Sequence, residues 1–431
     1  MFRGAARTGS RTTRALRRPD PADARRAETD RRRITDRTQS RQENTMPIAN
    51  PIWETPERLE LRSTVRRFVD KHILPHQDDW ERDGAIPREL HVEAAKLGLF
   101  GLGVPEEVGG SGGDLIDSTI LGEELHYAGA AGGVFASLFT HGIALPHLIA
   151  AGDPDQIDLW VRPTLAGEKI GSLAITEPGG GSDVGHLTTK AERDGDEYVV
   201  NGSKTYITSA VRADFVVVAV RTGGPGAGGV SLLVVEKGTP GFSVTRKLDK
   251  MGWRSSDTAE LSFVDARVPV GNLVGPENSG FAQIATAFVT ERSGLAVQAY
   301  ASAQRCLDLT LQWARDRETF GKPIIARQSV QDTLIEMARR IDIARTYTRA
   351  LVERKVSSTD DLIAEVCFAK NTAVEAGEWV ANKAVQLHGG LGYMTGTEVE
   401  RQYRDMRIIG IGGGTTEILN GLAAKRLGYQ A

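Results

Sequence analysis

Five short runs rich in β-branched residues stand between two long stretches of helical period, and that order restricts the folds open to the chain. The runs are Tyr198–Val200, Phe215–Val220, Val230–Val235, Phe242–Thr245 and Ala259–Val264, separated by Asp-Gly, Asn-Gly and Gly-Pro turns. Such spacing belongs to an antiparallel barrel or sandwich. Before them, Leu61, Val65, Phe68 and Val69 form one apolar stripe, and Leu90, Ala94 and Leu97 form another. The glycine-rich segment 109–113 then breaks the chain before a helix over 116–127. After them, amphipathic segments over 281–316, 328–353 and 360–387 predict a helical bundle. Because the strands are not interleaved with helices, the order speaks against a Rossmann sheet. The expected fold is α+β, with an N-terminal helical domain (51–168), a central antiparallel β-barrel or sandwich domain (169–278) and a C-terminal helical bundle domain (279–431).

Composition narrows the function. The longest uninterrupted apolar run, Phe215–Val220, is too short to cross a bilayer, so no membrane span is expected. Cys306 and Cys367 form no CxxC pair and have no clustered His, which argues against a disulfide framework or zinc site and for a reducing compartment. Of the 53 Lys+Arg residues, 13 (all Arg) fall in residues 1–45, against 6 of the 56 acidic residues. The remaining body is therefore acidic and offers nucleic acid no basic footprint. Residues 1–50 read as a disordered Arg-rich extension. A transit peptide, a nucleic-acid tail and sequence upstream of a true start at Met46 all account for it. The last is preferred, because acids from Asp20 onward spoil a presequence pattern. Cytoplasmic location follows, or the mitochondrial matrix if residues 1–45 are a transit peptide.

One carboxylate stands out. Phe281, Ile284, Phe288, Glu291 and Leu295 recur by three and four residues and share one helical face. A carboxylate on an apolar face loses hydration, so its proton affinity rises into the range where it can take and return a proton. A Glu at the edge of the stripe, reaching water or an Arg, satisfies the same spacing. Several glycine-rich loops accompany it. Glu177–Asp183 has three glycines that let backbone N–H groups approach a ligand, but lacks the strand-to-helix setting of a phosphate-binding fingerprint. Asn201–Thr208 turns into a strand presenting Tyr206 and Thr208 on one face. Arg317 ends a helix, where it suits either a phosphate or the surface. Gly-rich loops 386–393 and 411–417 interrupt helical territory, as backbone brought close to a ligand or neighbouring subunit would. His388 has no ligand-spaced partners and reads as structural, so no metal site is expected.

Taken in order, Thr176–Asp183, Asn201–Lys204 with Tyr206–Thr208, Met251–Thr258, Arg317–Pro323 with Gln328, Gln386–Tyr393 and Gly413–Glu417 resemble the acyl-CoA dehydrogenase family across the chain from about residue 55. The resemblance implies that FAD lies between the central β domain and a C-terminal four-helix bundle. Leu173, Ile175, Thr176, Gly181 and Ser182 would line the flavin and the neck of the acyl-CoA, with Tyr206 and Thr208 over the ring. Arg317, Thr319, Phe320 and Gln328 of one subunit, with Gln386, Gly389 and Gly390 of its neighbour, would hold the pyrophosphate and adenosine. Thr415 and Glu417 would complete the cofactor site, and Ser182, Phe288, Arg292, Gly413 and Gly414 would meet the substrate. A homotetramer, built as a dimer of dimers, and an electron-transfer flavoprotein as acceptor are likewise implied.

Two positions depart from the common family pattern. Tyr206 stands where Trp is frequent. Gly413 stands where many members carry the catalytic Glu, whereas members resembling the isovaleryl-CoA and long-chain enzymes place it just before the Arg of the first bundle helix, here Glu291 before Arg292. The implied reaction is α,β-dehydrogenation of a fatty acyl-CoA to the trans-2-enoyl-CoA, with Glu291 as base and flavin N5 as hydride acceptor. The Gly413 N–H would help polarise the thioester oxygen. Glycines 412 and 413 would also leave room for a branched, bulky or long acyl group. A flavin oxidase or monooxygenase on the same fold, and a non-catalytic acyl-CoA-binding paralogue, remain alternatives.

Overall fold

A computed structural model describes residues 51–429. The expected 1–50 extension, with Met46, lies outside the described residues. In helix α1 (Pro56–Phe68) the Thr55 side chain caps the first turn and Pro56 occupies the first position, where its missing N–H costs nothing. Val65, Phe68 and Val69 are buried, as the stripe requires. Leu90 and Ala94 are buried too, but Leu97 is 47% exposed, because the helix Glu89–Lys96 ends before it and turns it outward. Helix α2 (Leu115–Tyr127) starts at a capping box made by Asp114 and Asp117.

Helices α3 (Gly132–Leu138) and α4 (His141–Ala151) correct the expectation about apolar length. Together they make a 20-residue window of mean hydropathy 1.5, long and apolar enough by composition to cross a bilayer. Ser137, Thr140, His141 and His147 interrupt it, so counting uninterrupted apolar residues missed it. Half of the window is buried inside the protein, and a turn at Phe139–Thr140 splits it.

The β region is one seven-stranded sheet: β1 (Gly171–Ala174), β2 (Lys190–Asp194), β3 (Glu197–Thr208), β4 (Phe215–Arg221), β5 (Val230–Glu236), β6 (Phe242–Lys247) and β7 (Thr258–Pro269). Its order is β1-β4-β2-β3-β7-β6, with β5 on β4. Pairing is antiparallel except where β1 and the first residue of β2 meet β4 in parallel. Strand β1 arrives from the helical region and not from a hairpin, so no tight turn holds it antiparallel to β4. Strands β4 and β5 are buried along nearly their whole length, which explains their continuous apolar runs. Register shifts in β3, between Val200 and Gly202 and between Lys204 and Ile207, bend the sheet.

The C-terminal helices are α5 (Gly280–Asp316), α6 (Gln328–Ser357), α7 (Ile363–His388), α8 (Glu398–Ile409) and α9 (Thr416–Arg426). Helices α5, α6 and α7 pack on one another, and α8 and α9 pack on α7. Ala369, Ala373, Ala376, Ala381 and Ala384 on α7 are all buried, and their small side chains let neighbouring helices approach closely.

Candidate active site

The face of α5 singled out by its period is the wall of a cavity. Phe281, Ile284, Phe288, Glu291 and Leu295 all line a space of about 2240 Å³ between the sheet, α5 and the N-terminal helices. That exceeds the roughly 300–1,000 Å³ of a site for one drug-sized ligand, so its volume admits more than one molecule. Leu173, Ile175, Thr176, Gly181, Ser182, Tyr206 and Thr208 form the β-sheet side, and Arg292, Gly413, Gly414 and Thr415 close the bundle side.

Glu291 is half-buried and makes no hydrogen bond or ion pair among the described residues. Of the two orientations left open by the sequence, the side chain takes the one turned to the cavity. Its neighbour Arg292 is occupied elsewhere: Nε donates to the Gly413 carbonyl at 2.9 Å, and the guanidinium lies 5.2 Å from the Phe288 ring centre. Burial raises the Glu291 pKa, while the charges of Arg292 and Lys370 oppose the rise without cancelling it. A Cβ built on Gly413 would stand 3.5 Å from Glu291 Oε1 and 2.5 Å from Leu295 Cδ1. Glu291 therefore reaches the point that a side chain at 413 would occupy. The room expected beside Gly413 is taken by Glu291 and Leu295, whereas at Gly412 a Cβ would meet only the Ile408 carbonyl, at 3.6 Å.

Lys370 was not foreseen. It is fully buried on α7, and its Nζ donates to the carbonyls of Gly412 (2.5 Å) and Gly414 (2.6 Å). Burial and the Arg292 charge lower its pKa to about 8, with Glu291 acting the other way. The signal was present: Val366, Lys370, Ala373, Val374 and Gly377 share a helical face, so this lysine sits in an apolar stripe as Glu291 does.

On the β-sheet side, Lys204 is buried and donates to the Ile175 carbonyl at 3.0 Å and to Glu177 at 2.9 Å. Glu177 also accepts from the Thr188 N–H and hydroxyl and from the Thr189 N–H, which ties down the glycine-rich loop. Burial works to raise the Glu177 pKa, but Lys204 and the threonine hydrogen bonds outweigh it and bring it to about 2. Tyr206 sits in the β3 bulge at φ 61, in left-handed backbone, and is 70% exposed on the cavity wall. A cavity lined by this aromatic ring, the Thr176, Ser182 and Thr208 side chains and the Gly413–Thr415 loop fits a flat ring system with hydrogen-bonding edges, as FAD is.

The remaining candidates lie elsewhere. Arg317, Thr319, Phe320, Gln328, Gln386, Gly389, Gly390 and Glu417 do not line this cavity. The 318–323 hairpin and the 386–390 loop meet at one end of the bundle. There Arg317 lies 5.8 Å from the Trp313 ring centre, Trp313 stacks on His388 at 5.3 Å, and its indole N–H donates to the Leu387 carbonyl. Phe320 is fully exposed with φ 52, and Arg327 lies over its ring while bonding the Thr319 carbonyl. Gln328 bonds Asp332, and Glu417 is exposed in the first turn of α9. His388 Nδ1 pairs with the Ala384 carbonyl, a structural role. Cys306 and Cys367 are both free and buried, and no His, Cys, Asp and Glu cluster suited to a metal occurs among the described residues.

Comparison with known proteins agrees with this geometry. Residues 55–168, 172–266 and 278–428 match the N-terminal, middle and C-terminal domains of acyl-CoA dehydrogenases. The long-chain specific acyl-CoA dehydrogenase of Rattus norvegicus mitochondria is 36% identical over 370 residues, covering 85% of each chain. A crystal structure from Mycobacterium smegmatis assigned to the acyl-CoA dehydrogenases is 72% identical, with a TM-score of 0.88 over 88% of this chain and 100% of that one. A chain in the structure of the electron transferring flavoprotein of Acidaminococcus fermentans is 30% identical, with a TM-score of 0.83 over 89% of this chain and 99% of that one. Three domains matched in order and relatives aligned along most of their length identify this chain as a member of the acyl-CoA dehydrogenase family.

Proposed function

We propose that the protein is an FAD-dependent acyl-CoA dehydrogenase in which Glu291 removes the α-proton of the thioester. The observation that carries the assignment is an unpaired, proton-avid carboxylate on the cavity wall, beside a glycine where many members carry their base. Bound FAD supplies the acceptor for the hydride that leaves the β-carbon. Leu173, Ile175, Thr176, Gly181, Ser182, Tyr206 and Thr208 hold the ring and the thioester neck, with Thr415 on the opposite wall. The Gly413 N–H donates to the thioester oxygen, which makes the α-proton acidic enough for a carboxylate to take. The apolar side chains of Leu102, Leu115, Phe135, Phe139 and Leu145 also line the cavity, which supports a long or bulky acyl chain.

Residues 317–328 and 386–390 lie together around Trp313 in a single chain and away from the cavity, so in place of the expected split between two subunits we read both as suiting the adenosine end of a cofactor bound by a second copy, in a dimer of dimers. The two-electron chemistry calls for a carrier, and the likeness to a chain in an electron transferring flavoprotein structure supports that protein class as acceptor. Buried free cysteines accord with a reducing compartment, and we read the protein as cytoplasmic. The test is anaerobic titration of the FAD-loaded enzyme with acyl-CoAs of graded length and branching, followed by admission of oxygen. Bleaching of the flavin absorbance and slow peroxide release are expected. No bleaching by any acyl-CoA refutes the assignment, and rapid peroxide release points to an oxidase.

A further inference from the structure

The loop from Gly412 to Thr415 has its two sides in different surroundings. Its carbonyls at 412, 413 and 414 are all bonded to cations: Lys370 Nζ at 2.5 Å, Arg292 Nε at 2.9 Å and Lys370 Nζ again at 2.6 Å. In a planar trans peptide the carbonyl and the following N–H point in opposite directions. The N–H groups of Gly413, Gly414 and Thr415 must then face away from the cations, and none has a hydrogen-bond partner among the described residues. All three residues line the cavity. Outside a helix, a turn through left-handed backbone can bring successive amides to one side, and Gly413 (φ 65) and Gly414 (φ 102) supply such a turn. The turn holds only while the carbonyls stay tethered. Lys370 makes two of the three tethers from a different helix, at the cost of burying an ammonium group.

We propose that Lys370 is a positioning residue that acts through the loop, fixing the Gly413 N–H as the donor to the substrate's thioester oxygen. This rests on the dehydrogenase assignment above. Lys370 touches neither base nor substrate by hydrogen bond; its effect on chemistry passes through the direction of an amide. Its charge also acts on Glu291, together with Arg292 on α5, while Cys367 lies beside both cations on α7. The test must therefore separate position from charge.

The experiment compares the FAD-loaded wild type with Lys370→Met. The probe is 3-oxooctanoyl-CoA, whose acidic α-carbon ionises when its thioester oxygen is polarised. Its ionisation on the enzyme is followed by absorbance across pH, and amide hydrogen exchange of residues 411–416 is followed without ligand. We expect ionisation of the bound probe to become about tenfold less favourable, one pH unit upward, a modest value for a mis-aimed oxyanion donor. We also expect exchange at 411–416 to accelerate. Unchanged ionisation overturns the proposal. So does shifted ionisation with unchanged exchange, because that pattern belongs to the missing charge alone. Should Lys370→Met lose its FAD, Lys370→Gln is measured against the same two criteria. A wild type that neither binds nor ionises the probe counts against the dehydrogenase assignment, not against the role of Lys370.

Discussion

Two carboxylates on facing helices meet opposite fates. Glu123, on α2, is completely buried and accepts from Arg349 twice at 2.7 Å, from Arg62 at 3.2 Å and from the Tyr300 hydroxyl at 2.7 Å. Burial pushes its pKa up, but Arg349 and Arg62 outweigh burial and hold it at about 2. Glu291 has no such partners, and burial wins. Tyr300 and Glu291 belong to the same helix, nine positions apart. One part of α5 is thus tied into a satisfied charge network joining the N-terminal helices to the bundle, while another presents a carboxylate ready to take a proton. Burial alone does not separate structural from chemical acids; the supply of donors does.

The largest expected effect breaks the functional side of this contrast. Glu291→Gln should keep its FAD and lose about 10²- to 10⁴-fold in turnover, the range for a general base, measured with a dye as electron acceptor. In the wild type, turnover should rise with pH as Glu291 passes through its raised pKa, since only the carboxylate accepts the proton. Stability runs the other way. A folded-state pKa above the unfolded value makes the ionised group a burden at higher pH, so Glu291→Gln should melt higher than wild type at neutral pH. Glu123→Gln should instead destabilise by about 3–5 kcal/mol, because Arg62 and Arg349 lose their buried counter-charge. Its pKa is depressed, so the stabilisation is present above the unfolded value and is lost as pH falls from there toward about 2. Thermal melts of both variants across pH check this, and shifts of the same sign would erase the distinction.

Much of this was readable from residue spacing. The helix, strand, helix order follows from periods of 3.6 and 2, and Glu291 was visible as a charge in an apolar stripe. Lys370 carried the same signal on α7 and was passed over because its partners are backbone carbonyls more than forty residues away, which leave no mark on spacing. The parallel pairing of β1 with β4 was hidden for a related reason: Ser172 pairs with Val216, 44 residues further along the chain, and no local turn encodes that register. Arg317 and Gln386, expected at the far end of a cofactor from motif position alone, do not line the cavity.

The smallest effect sharpens the comparison by moving the carboxylate. Since a side chain at 413 would point at Glu291 Oε1, a Glu placed there could serve the same substrate carbon, but two obstacles stand in its way. Gly413 has φ 65, which costs any residue with a Cβ, and the Cβ would sit 2.5 Å from Leu295 Cδ1. Gly413→Glu in the Glu291→Gln background should therefore recover nothing while Leu295 is present. Adding Leu295→Ala clears the clash but not the backbone strain, and recovery on the order of tenfold is expected, well short of wild type. The measurement is dye-linked turnover of the double and triple variants at equal FAD content. Full recovery in the double variant would mean that the loop relaxes freely, and the tethers from Lys370 and Arg292 would then have little hold on it.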